Sequence, residues 1–163
     1  MDIAKLNSAF DSYVNEYDMN DNNILYKYNH TYRVCKNSKN VCKSLNLNEE
    51  QSNLAYLIAL LHDIGRFYQN KMYKTFFEKA DFDHGDYGVK LLFEDGLIRK
   101  FIDNTDNDKP IYLAVKNHNK YSVENNLKEE EILYCNIVRD ADKLDIIDNF
   151  IEIIKINNKE EDD

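Results

Sequence analysis

This sequence predicts an all-α domain, and three observations carry that expectation. Chain breakers are scarce, with four glycines and one proline among 163 residues. Leu, Ile, Lys and Glu are abundant, a composition that favours helix. Apolar residues recur three or four positions apart, the spacing of one helix face.

The elements follow in order. Ile3, Leu6, Phe10, Tyr13, Val14 and Tyr17 form the stripe of a first helix. A second is expected over about 22–45, with Tyr28, Thr31, Val34, Val41 and Cys42 among its apolar positions and His30 inside it. The third is the best defined. Asn48 suits an N-cap, and Gln51 stands where a capping box needs it. The run LAYLIALL at 54–61 is apolar nearly all round, which marks a central, buried helix. Gly65 is expected to end it as a C-terminal cap, leaving His62 and Asp63 in its last turn. Residues 66–83 read as irregular and rich in aromatics. A fourth helix should run from near His84 to Gly96, with a short helix at 97–101. A polar linker at 104–109 leads to Pro110, a first-turn proline opening a helix that carries His118. The last helix is expected from near Leu127 through Asp142 to about Ile156. Residues 157–163 form a charged tail, frayed at its end.

Length and composition bound the function. The chain has the size of one domain, 1–163, with no repeat and no second unit. At 43% hydrophobic and 31% charged it is globular. A net charge of -9 and a pI of about 4.9 argue against a surface that coats nucleic acid, although a local basic pocket is allowed. Cys35, Cys42 and Cys135 contain no CxxC pair and read as reduced thiols. Cys35 and Cys42 share a helix face, as two small core residues or as part of a zinc-thiolate site. The N-terminus has no basic stretch followed by an apolar core, and the longest apolar run is far too short for a membrane helix. The expectation is a cytoplasmic protein without membrane contact.

All four histidines fall, with two aspartates, into one ordered series: His30, the doublet His62-Asp63, His84, His118 and Asp142. Taken singly, each has an ordinary reading. His62-Asp63 fits a solvated helix end, RDADKLD at 139–145 fits a charged face, and a lone histidine fits a satisfied polar residue. Taken together they change character. A carboxylate at the end of a buried helix must be paired or bound to metal. Asp142 stands beside inward-facing Ala141. The histidines lie on separate predicted helices, which is how bundles build metal sites. Imidazole and carboxylate together suit Fe, Mn, Zn, Co or Ni.

The order H…HD…H…H…D, with HDIGR and DADKLD, resembles the HD superfamily of metal-dependent phosphohydrolases over about His30 to Asp145. The resemblance implies a helical domain with a metal core at about 22–156. It implies that His30, His62, Asp63 and Asp142 bind a primary metal. In dinuclear members the aspartate at the position of Asp63 bridges to a second metal, for which His84 and His118 are the ligands here. One or two divalent ions are implied, with Mg a further option. The activity implied is hydrolysis of a phosphate ester or anhydride by metal-activated hydroxide. The substrate would be a nucleotide or related small metabolite rather than a nucleic-acid polymer. Arg66, one turn beyond His62, and Lys143, next to Asp142, are the candidates for contacting phosphate. Arg33, Lys116 and Lys120 are weaker ones. A homodimer is allowed. Two alternatives remain open, a di-iron oxygenase built on the same ligands and a non-catalytic nucleotide-binding module.

Overall fold

The computed structural model describes residues 1–77 and 81–160, with side chains as far as Ile151. The described residues carry no β-strand. The elements are α1 (Ile3–Val14), α2 (Asn22–Ser44), α3 (Glu49–Leu61), α4 (Ile64–Tyr73), α5 (His84–Val89), α6 (Asp108–Asn117) and α7 (Glu129–Glu160). A π-helical stretch, Lys90–Glu94, continues α5, and a 3₁₀ turn, Leu97–Lys100, follows it.

Side-chain caps set several helix starts. Asp2 accepts from the Ala4 and Lys5 amides, and Asp21 accepts from the Asn23 amide. Asn48 and Gln51 close the capping box at the head of α3. Every residue from Leu54 to Leu61 is buried, so α3 is the axis of the bundle. It packs on α1, α2, α6 and α7, and α2 packs along α7. The first stripe behaves as expected: Leu6, Phe10, Tyr13 and Val14 are buried, with Ile3 and Tyr17 at the core's margin. Cys35, Cys42 and Cys135 are free, buried core residues.

The structure corrects the chain from Gly65 onward. Gly65 does not cap α3. Residue 63 ends that turn, and a new helix, α4, starts at Ile64 and includes Gly65, Arg66 and the residues to Tyr73. The segment 66–83 is therefore helical over its first half, with 78–80 outside the described residues. Gly65 serves a close contact instead. A Cβ there would lie 2.3 Å from the carbonyl oxygen of His84 and 3.0 Å from the Gly88 amide nitrogen. Missing side chains let α4 touch the backbone of α5. Phe67 joins the core edge-on to Phe10 and Tyr13, and Tyr68 stacks on Tyr87 at 4.4 Å between centroids. Lys74, in the left-handed region at φ 54°, turns the chain out of α4.

Smaller shifts occur elsewhere. Pro110 is the third residue of α6, within its first turn, and His118 follows the last residue of that helix. The last helix starts at Glu129, two residues later than expected, and continues past Ile156 to Glu160. Residues 161–163 of the expected tail lie outside the described residues. Among the described residues no helix is long and apolar enough to cross a membrane.

Candidate metal centre

The site forms where two helices end. The last carbonyls of a helix have no intrahelical partner. His62 follows α3 and places Nδ1 2.6 Å from the Ala59 carbonyl oxygen. His118 follows α6 and repeats the arrangement with Val115, also at 2.6 Å. A carbonyl only accepts, so Nδ1 carries a proton in both rings and Nε2 is the nitrogen left to face the cluster. In α2, His30 Nδ1 lies 2.7 Å from Asp145 Oδ2, again an acceptor, with the same result. His84, at the head of α5, has Nδ1 3.4 Å from the Asn119 amide.

These Nε2 atoms surround Asp63, and each carboxylate oxygen faces its own pair. Oδ2 lies 3.5 Å from His30 Nε2 and 3.5 Å from His62 Nε2. Oδ1 lies 3.4 Å from His84 Nε2 and 3.5 Å from His118 Nε2. Asp142 joins the first pair, with Oδ1 3.1 Å from His30 Nε2 and 3.7 Å from His62 Nε2. His30, His62 and Asp63 form one group able to hold a metal ion, and Asp63, His84 and His118 form another. All five are buried, whereas the Asp142 side chain is 17% exposed.

The donor set fits a cation. His30 Nε2 and His62 Nε2 are buried without a hydrogen-bond partner, an arrangement that costs about 1–3 kcal/mol per group unless something else binds there. His84 Nε2 and His118 Nε2 stand 3.0 Å apart. Two ligands about 2.1 Å from a shared ion at near-right angles have that separation.

In the absence of a metal, the carboxylates and imidazoles set one another's charge. Burial disfavours the His30 imidazolium, but the adjacent carboxylates of Asp142, Asp145 and Asp63 outweigh it and raise the pKa to about 10. Burial opposes charge on His62 as well, and Asp63 and Asp142 lift it to about 9. Burial pushes His84 down to about 2 against the pull of Asp63. Burial would raise Asp63, yet Lys27 and His62 hold it well below the usual carboxylate range. Asp142 is held low by His30 and His62, again against burial.

A family model described as HD domain matches residues 28–147. The chain belongs to the HD-domain family. No curated protein and no solved structure matches it. Members of this family are generally metal-dependent phosphohydrolases, and the buried His/Asp groups of this HD domain could hold a metal ion.

The HD domain thus brings together His30, His62, Asp63, His84, His118 and Asp142. Arg66 stands beside them, with Nε 3.7 Å from Asp63 Oδ1. Its Nη1 donates to Gln69 Oε1 at 2.7 Å and to the Phe76 carbonyl at 2.6 Å. Lys143 is not brought to the cluster. It is exposed on the outer stripe of α7, facing a groove that Val41, Leu45, Leu144 and Ile147 also line. One residue is about 100° of helix, which is enough to turn it away from Asp142. Arg33 is spent on Asp145, and Lys120 pairs with Asp83 and Asp86. Lys116 lies 3.7 Å from Glu124 and over the Tyr112 ring.

Two residues went unassigned in the sequence. Asp145 holds His30, and Lys27 places Nζ 2.6 Å from Asp63 Oδ2. Each lies one turn from a residue of the series on the same helix face, Asp145 after Asp142 and Lys27 before His30. A larger cleft of about 920 Å³ lies at the opposite end of α3, lined by Glu49, Glu50, Asp103 and Glu130 among others, away from the histidines.

Proposed function

We propose that this HD domain hydrolyses a phosphate ester or anhydride, in a nucleotide or related small metabolite, at a site for two divalent ions. The observation that carries the reading is the division of Asp63: one oxygen toward His30 and His62, the other toward His84 and His118. That is the geometry of a bridging carboxylate. Divalent ions in such a site supply hydroxide at neutral pH and polarise the phosphoryl oxygens. The chain itself does the rest. Asp63 would hold the two half-sites at a fixed separation, and Asp142 would complete the first. Arg66, pinned to Phe76 and Gln69, offers a guanidinium where charge would develop on the phosphoryl oxygens. Buried Ala59, Val115 and Asp145 fix three imidazoles in the tautomer that binds.

Elemental analysis of purified protein, run beside a panel of phosphatase and phosphodiesterase substrates, tests the reading. His62→Ala and Asp63→Ala should lose metal while keeping helical content. Full stoichiometry in both variants would remove the site. Activity that requires reduced iron and O₂, with none in anaerobic Mn-loaded protein, would replace hydrolysis with oxygen chemistry.

A further inference from the structure

We infer that Lys27 contacts the substrate phosphate, from a position at the edge of the site that Phe76 covers. The inference rests on the phosphohydrolase reading and adds a residue to it. Lys27 lies one position outside the stretch matched by the family model. The structure nonetheless puts it against the central carboxylate. Its Nζ is 2.6 Å from Asp63 Oδ2, on the His30 and His62 side, and Arg66 flanks Oδ1 on the other side. Both cations lie over one ring: Lys27 Nζ is 5.5 Å and Arg66 Cζ 6.0 Å from the Phe76 centroid. Phe76 is itself tethered, since Arg66 donates to its carbonyl and Gln69 donates to that of Phe77.

The charges explain why an anion belongs there. With the imidazoles neutral as ligands, Asp63 and Asp142 are matched by Lys27 and Arg66, so the protein groups leave nothing to offset a divalent ion. Neutral imidazoles add no negative charge. Each ion therefore leaves two positive charges uncompensated in a buried site, where unpaired charge is costly. A phosphate dianion is the charge class that answers this. Lys27 is placed to meet it. Its side chain is 13% exposed, at the boundary between cluster and solvent. An ammonium has three donors, so a bond to Asp63 leaves two for phosphate oxygens. Its flexible stem can follow the anion, whereas Arg66 is fixed at two points.

The experiment compares wild type, Lys27→Met and Lys27→Arg, each loaded with Mn. Metal content is read by elemental analysis, and inorganic phosphate binding by calorimetry. The expected result is unchanged metal content in all three. Phosphate affinity should fall roughly 10- to 100-fold in Lys27→Met, the range of a charged hydrogen bond, and largely recover in Lys27→Arg. Unchanged phosphate affinity in Lys27→Met overturns the inference. So does loss of metal from that variant, which would make Lys27 a partner of Asp63 alone, and so does a wild type that binds no phosphate. Binding is read without turnover, so a protein that hydrolyses nothing defeats the proposed function while still deciding the role of Lys27.

Discussion

A histidine binds a cation through one ring nitrogen, and the other nitrogen decides whether the first is available. Here that second contact is made by carbonyls one turn back for His62 and His118, and by Asp145 for His30. Asp145 is in turn held by Arg33, with Nε donating at 2.6 Å and Nη2 at 3.1 Å, and by the Asn149 amide. Replacing Asp145 with alanine should free the His30 ring to rotate. Metal affinity, measured by competition with a chromogenic chelator, is expected to drop about 10–100-fold while the helices persist. An unchanged affinity would mean that packing alone orients the ring. The histidine series was legible because no histidine is left over from it. Asp145 and Lys27 were not. Each is one charged residue among 30 acids or 21 bases, and only the three-dimensional contact separates it from the surface. Adjacency misled in the case of Lys143, because neighbours on a helix point in different directions.

Periodicity and caps revealed most of the helices, since both are local. The boundary between α3 and α4 was not legible, because its cause is not local. Glycine after a helix commonly marks a stop, but Gly65 answers to the backbone of α5. Its replacement by alanine tests that difference. The new methyl would meet a carbonyl oxygen that cannot rotate aside, so α4 and α5 must separate. The expected cost is about 1–3 kcal/mol. His84 should move away from Asp63, so on the two-ion reading the ion at His84 and His118 should be lost before the other. Gly96→Ala is the control. Its φ of 78° makes alanine strained, but nothing lies within 4 Å of the added Cβ. That variant should lose stability and keep both metals. Denaturant melts paired with metal analysis separate the two. Equal metal content in the glycine variants would show that the α4–α5 contact does not govern the site.

For the molecule as a whole, carboxylates tie distant helices together, and pH should expose them. Asp21 at the head of α2 accepts from Asn70 in α4, which with the Asn23 amide and Lys74 holds its pKa below the usual value. Asp83 is raised by burial, but Lys120, the Asp86 amide and Asn119 more than offset this and hold it low. A depressed folded-state pKa gives stability that is present above the unfolded value and lost as pH falls through the folded one. Thermal midpoints of wild type should therefore decline below about pH 4. Asp21→Asn should show a flatter acid limb, and an identical limb would assign the loss to other groups. The bundle has one further property, set by where α2 and α7 sit in the chain. His30 and Asp142 meet across more than a hundred positions of sequence. An ion gripping both would close that loop as a cross-link does, restricting the unfolded chain. Its removal would reopen that loop, so stripping the metal should let the two ends of the chain part more easily under denaturant than any single lost contact would.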